Sequence, residues 1–132
     1  MSFLIDTDTC SAHLKGNRAV NNRFLQYTGG LRVSTVTMGE LYTWAMRAAA
    51  PPQRLQGLQE MLRDVTVLEV TLDVARKFGE LRAALYDQGL PPPDMDLMIA
   101  ATALLYDLTL VTHNTKDFAH VPGLRMVDWL AP

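Results

Sequence analysis

The sequence predicts an α/β fold: a parallel sheet of four to five strands with helices on both faces. Three observations carry that prediction. Short β-prone runs rich in apolar residues recur at positions 3–5, 31–36, 65–70 and 108–112, with a shorter one at 124–127. Segments with apolar residues at helical spacing separate them, and strands alternating with helices imply parallel pairing with crossover helices packed on the sheet. Acidic residues stand where strands give way to helices, at the edge where open α/β sheets bind their ligands.

The length of 132 residues fits one domain spanning 1–132, large enough for a well-buried core. No apolar run approaches the ~20 residues that a membrane span requires. The start of the chain lacks the basic region and apolar stretch of a secretory signal, so a cytoplasmic protein is expected. A single cysteine, Cys10, excludes an intrachain disulfide and a cysteine-built zinc site, and it reads as a packing residue. A net charge of −2 does not advertise a nucleic-acid binder, although a local basic patch would suffice for one.

Phe3, Leu4 and Ile5 read as a buried strand that ends abruptly in Asp6 and Asp8. Residues 9–14 form a short helix stopped near Gly16. Asn17 is a cap for a helix to residue 27, with Val20, Phe24 and Leu25 inward, and Gly29-Gly30 breaks it. Residues 31–36 are the second strand. Thr37-Met38-Gly39-Glu40 opens a helix to about residue 50, its stripe made by Leu41, Trp44, Ala45 and Ala48. Pro51-Pro52 ends it and fits the first turn of a helix over 52–63, striped by Leu55, Leu58, Met61 and Leu62. Residues 65–70 are the third strand. Thr71 or Asp73 caps a helix to about residue 88, on which Ala75, Phe78, Leu81, Leu85 and Tyr86 recur at helical spacing, and Gly89 stops it. Residues 90–93 are a stiff connector. Pro93 or Asp94 starts a helix over 95–106 so apolar that it has little solvent face. Residues 108–112 are the fourth strand, followed by a polar loop at 113–116.

Four strand-to-helix junctions carry the acids Asp6, Glu40, Asp96 and Asp117. Each has an ordinary structural explanation. Asp6 or Asp8 can cap a helix, Glu40 completes a capping box with Thr37 as N-cap, Asp94 and Asp96 suit a helix first turn, and Asp117 suits a loop. Together they are harder to explain, because carboxylates ~5 Å apart at an effective dielectric of ~20 repel by ~3 kcal/mol per pair. A divalent cation relieves that repulsion. Carboxylates without a companion histidine or cysteine suit the hard ions Mg²⁺ or Mn²⁺, which promote phosphodiester hydrolysis.

The residues also resemble a family. Leu-Ile-Asp-Thr-Asp at 4–8, Ser-Thr-Val-Thr-Met-Gly-Glu-Leu at 34–41, Asp-Leu-Met-Ile-Ala-Ala at 96–101, Leu-Val-Thr-His-Asn-Thr-Lys-Asp-Phe at 110–118 and Pro-Gly-Leu-Arg-Met-Val-Asp-Trp at 122–129 resemble, in order, PIN-domain ribonucleases of the VapC toxin type. The resemblance implies a PIN-like three-layer α/β/α domain and a Mg²⁺- or Mn²⁺-dependent endoribonuclease, with RNA as substrate, a VapB-like antitoxin as partner and a homodimeric state. It assigns Asp6, Glu40, Asp96 and Asp117 as metal-binding and catalytic acids, and Thr112 and Asn114 as hydrogen-bonding supports. Asp8 stands where the family pattern has Asn, and Asp94 is an additional acid. Asp96 is preferred over Asp94 because it directly precedes Leu-Met-Ile-Ala-Ala. Lys15, Arg18 and Arg23 are the cations nearest Asp6 in sequence and are candidates for RNA phosphates. His13, His113 and His120 form no ligand pattern.

Rival readings rest on fewer residues. Asp-Thr-Asp-Thr at 6–9 matches the opening of haloacid-dehalogenase-type phosphatases, with Asp6 as nucleophile, but no downstream lysine stands at a strand end. A phospho-acceptor receiver domain requires an acid at the end of the third strand, and Asp73 lies too far along. A metal-free structural domain is the remaining rival.

Overall fold

In a computed structural model of the chain, which describes residues 2–90 and 93–132, the first strand is buried on both faces. Phe3 and Ile5 of β1 (Phe3–Ile5) pack into one layer of helices and Leu4 into the other, the period-two alternation of a strand. Four further strands join it: β2 (Leu31–Ser34), β3 (Thr66–Leu68), β4 (Thr109–Val111) and β5 (Met126–Val127). All pair in parallel, in the order β3-β2-β1-β4-β5, with Leu4 opposite Arg32 on one side and Leu110 on the other. The predicted three-layer α/β/α architecture is therefore present.

Six α-helices fill the outer layers among the described residues. They are α1 (Thr7–Leu14), α2 (Arg18–Gln26), α3 (Thr35–Met46), α4 (Pro52–Met61), α5 (Leu72–Asp87) and α6 (Asp94–Leu105). Cys10, Val20, Phe24, Met38, Leu41, Leu58 and Met61 from α1–α4 bury against the face that carries Ile5 and Val33. Leu81, Leu85 and the apolar body of α6 bury against the face of Leu4 and Leu110. No helix among the described residues is long and apolar enough to cross a membrane.

Several local expectations are corrected. The first helix begins at Thr7 rather than residue 9, because the Asp6 carboxylate itself accepts the Thr7 N–H at 2.8 Å. Leu25 is 77% exposed rather than inward, leaving Val20 and Phe24 as the buried residues of α2. The second strand ends two residues early. Ser34, not Thr37, caps α3, its hydroxyl accepting the Val36 N–H at 3.1 Å, and Thr37 is buried inside the helix. Glu40 thus belongs to the second turn and closes no capping box. That helix ends at Met46, leaving Ala48 exposed beyond it. On α5, Thr71 is the cap, Val74 takes the buried place expected of Ala75, and Tyr86 is half exposed. Gly89 does end that helix, at φ +71°, a conformation that glycine adopts without penalty. Of the expected connector at 90–93, Pro91 and Pro92 lie outside the described residues.

The path of the chain locates the site. From β1 it moves outward through β2 to β3. The α5 and α6 helices then carry it back across the sheet to β4 on the opposite side of β1, and β5 follows. The strand order reverses between β1 and β4, and the crevice beyond the carboxyl ends of two such strands is where open α/β sheets take ligands.

Candidate active site

Asp6 is the first residue beyond β1, on that reversal. Its N–H donates to Val111 O at 2.9 Å, which ties it to the end of β4. One carboxylate oxygen caps α1 and the other accepts the Thr112 hydroxyl at 2.8 Å, while the Asn114 N–H donates to that same hydroxyl oxygen at 3.1 Å. The β4 loop thus holds the carboxylate in one orientation, and each oxygen keeps a second lone pair. The side chain is 5% exposed. Burial is the main force raising its pKa to about 6; the Thr112 hydroxyl opposes this, the charge of Asp8 adds to it, the Thr7 N–H opposes it, and Asp96 adds to it.

The other acids reach this edge from separate elements. Glu40, in the second turn of α3, accepts the Thr7 hydroxyl at 2.6 Å, which joins α3 to α1. Asp96 lies in the first turn of α6, half-buried. Its pKa is raised by burial first and then by the charges of Asp117, Glu40 and Asp8, so all four groups share one electrostatic field. Asp117 sits in a single 3₁₀ turn (Thr115–Phe118) that the sequence left as loop, pinned from below by buried Phe118. Asp94, one residue into α6, makes no cap. It pairs with Arg82 of α5 at 3.0 Å.

Asp8 has a structural task here. Its carboxylate accepts the His113 N–H at 3.0 Å and the Thr9 hydroxyl at 3.1 Å, so it clasps the β4 loop against α1. The His113 ring bonds Asp128 at 2.9 Å. Although burial pushes the other way, the Leu130 N–H and the His113 ring hold the Asp128 carboxyl below its usual range. Nothing in the sequence flagged this link, since its partners come from a loop and from the segment after β5.

The remaining candidates separate from the edge. Lys15 and Arg18 are exposed at the α1–α2 turn, with Lys15 a helix length of ~12 Å along α1 from Asp6, and Arg23 is exposed in the last turn of α2. His13 stacks on Phe24 with ring centroids 3.8 Å apart, and burial lowers its pKa. Cys10 is fully buried, which drives its thiol pKa strongly upward and makes it inert packing.

The chemistry of the donor set fits a hard cation. Asp6, Glu40, Asp96 and Asp117 offer carboxylate oxygens alone, and burial first, then the neighbouring acids, raises the pKa values of Asp6 and Asp96. Among the described residues, no three His, Cys, Asp or Glu side chains stand close enough together to enclose an ion. The acids share an edge and a field rather than a closed cage.

A parallel five-stranded sheet with carboxylates at its β1/β4 reversal defines a class, and residues 3–124 match the family model described as PIN domain. The chain belongs to the PIN-domain family. Among its relatives, the tRNA(fMet)-specific endonuclease VapC of Shigella flexneri is 35% identical over 130 residues, which cover 98% of each chain. Among solved structures, the DNA-bound VapBC of Salmonella typhimurium matches with a TM-score of 0.91 at 32% identity over 98% of each chain. A toxin–antitoxin complex from Klebsiella pneumoniae matches with a TM-score of 0.78 at 26% identity, over 99% of this chain and all of that one.

Proposed function

We propose that this chain is a VapC-type endoribonuclease, the toxin of a toxin–antitoxin pair, and that residues 1–132 act as one catalytic domain. The observation that carries this reading is the placement of Asp6. It is buried at the sheet reversal, oriented by Thr112, and lies in one field with Asp96 and the acids around it. The relatives' activity toward RNA, and their complexes with an antitoxin, extend the reading to substrate and partner.

Asp6, Asp96 and Asp117 are the residues that would hold a divalent cation, Mg²⁺ or Mn²⁺. The ion supplies Lewis acidity toward a phosphodiester and toward water. Glu40 is anchored through Oε1 to Thr7 and orients the attacking water with its other oxygen. Thr112 fixes the Asp6 carboxylate, and Asn114 fixes Thr112 through its backbone N–H. The products are a 5′-phosphate and a 3′-hydroxyl. The PIN-domain match over residues 3–124 gives no support to Asp6 as a phosphatase nucleophile.

The test is incubation of the purified protein with RNA and mapping of the ends produced. Cleavage should vanish with EDTA and return with Mg²⁺ or Mn²⁺. RNA left intact in either ion would contradict the reading.

A further inference from the structure

The acid edge continues into a pocket of about 330 Å³ between the end of α5 and the 3₁₀ turn after β4. That volume lies at the lower end of the range of small-molecule sites, roughly 300–1,000 Å³. Leu85 and Val121, 2% and 8% exposed, give it an apolar floor, and Leu90 forms one wall. Lys116, Asp117 and His120 are exposed and form its polar rim. Asp117 belongs to both places: it lines the pocket, and its charge reaches Asp96. Whatever binds at the carboxylates therefore lies beside the pocket mouth.

We propose that this pocket receives the nucleobase next to the scissile phosphate of a single-stranded RNA, and so sets the cleavage preference. The proposal rests on the nuclease reading above. An apolar floor under a polar rim suits a flat ring with hydrogen-bonding edges. His120 offers a ring for stacking, which any base can use because every base has a π face. Lys116 supplies a cation to the adjacent phosphate and has no acidic partner among the described residues. An occupant threaded from the carboxylates into the pocket must carry a phosphate and an apolar ring within a few ångströms, as a nucleotide does. The rim sets a preference among bases: Lys116, with three N–H donors, reaches a base acceptor as well as the phosphate.

The experiment measures kcat/KM on short RNAs that carry a single abasic residue at each position flanking the cut, with wild type, His120→Ala and Leu90→Ala. For wild type, loss of the base at one flanking position should lower kcat/KM by about tenfold or more. For either variant the intact RNA should already be slow, and removing that base should cost little further. An abasic effect equally large in wild type and both variants, or absent at both flanking positions, overturns the proposal. If the variants keep full base discrimination but bind the antitoxin more weakly, the pocket belongs to the antitoxin and the proposal fails. Wild-type protein that cuts no RNA in Mg²⁺ removes the nuclease reading, and this proposal with it. Both variants alter exposed or half-exposed positions, and an unchanged melting temperature confirms that the fold is intact.

Discussion

Asp6 carries opposed demands in one side chain. Its pKa of about 6, against an ordinary 3.8, means that the folded protein keeps its proton where the unfolded chain has lost it. Stability contributed by the protonated carboxyl is complete below pH 4 and is lost as pH rises through about 6. A shift of this size corresponds to about 3 kcal/mol, because Asp6 is nearly fully buried. Asp6→Asn, which keeps an oxygen to accept the Thr7 N–H and turns an NH2 donor toward the Thr112 hydroxyl oxygen, removes the charge and should therefore stabilise the protein in EDTA at pH 8 by ~1–3 kcal/mol and abolish cleavage. The gain should disappear near pH 4, as denaturant titrations at the two pH values would show. A variant no more stable than wild type at pH 8 would mean that the carboxylate is not strained. At this scale the acids were legible, because an acid at a strand-to-helix junction is visible in one dimension. The bonds Asp8–His113 and His113–Asp128 were not, because 105 and 15 residues separate their partners.

Helix starts decide where these side chains point. Ser-Thr-Val-Thr at 34–37 offers three hydroxyls, and any of them can cap. The structure selects Ser34, fully buried, because the strand pairs with β3 only as far as the Ser34–Leu68 register. That choice turns Glu40 toward Thr7 instead of back toward its own helix end. Ser34→Ala should cost ~0.5–2 kcal/mol, read as a lower melting temperature, and should also reduce cleavage by loosening Glu40. Thr37→Val, which removes the hydroxyl and keeps the shape, should cost less than Ser34→Ala; a larger melting loss would restore the capping box expected from the sequence. Strands and helices were legible from apolar runs and spacing, since β1 buries all three of its residues and α6 six of its twelve. Exact ends were not. Leu25 fits an inward helical phase by spacing alone, but no neighbouring element covers it. The two residues of β5 are too few to carry an alternation.

On the scale of the molecule, a chain of net charge −2 concentrates acids at the carboxyl edge yet is assigned a polyanionic substrate. A bound cation resolves that conflict, and so would an arginine from an antitoxin placed among Asp6, Glu40 and Asp96. Metal and antitoxin should then compete. Titrating the purified toxin–antitoxin complex with Mn²⁺ should weaken antitoxin binding, and an affinity unchanged at saturating metal would show that inhibition acts elsewhere. The sheet order itself was inferred only as parallel. The reversal between β1 and β4 follows from the long α5–α6 crossover, which nothing local in the sequence announces.

The central claim is that the carboxylates gathered at the β1/β4 reversal perform the chemistry, and Asp96 and Asp94 offer its most direct test. They lie two residues apart, yet Asp96 shares the field of Glu40 and Asp117 while Asp94 pairs with Arg82. Cleavage of one RNA in Mg²⁺ should be compared for Asp96→Asn and Asp94→Asn, each shown to be folded. The account predicts at least ~100-fold loss for Asp96→Asn, since even outer-shell changes at metal sites cost 10–100-fold, and near wild-type activity for Asp94→Asn. The reverse ranking, or full activity in both variants, would contradict it.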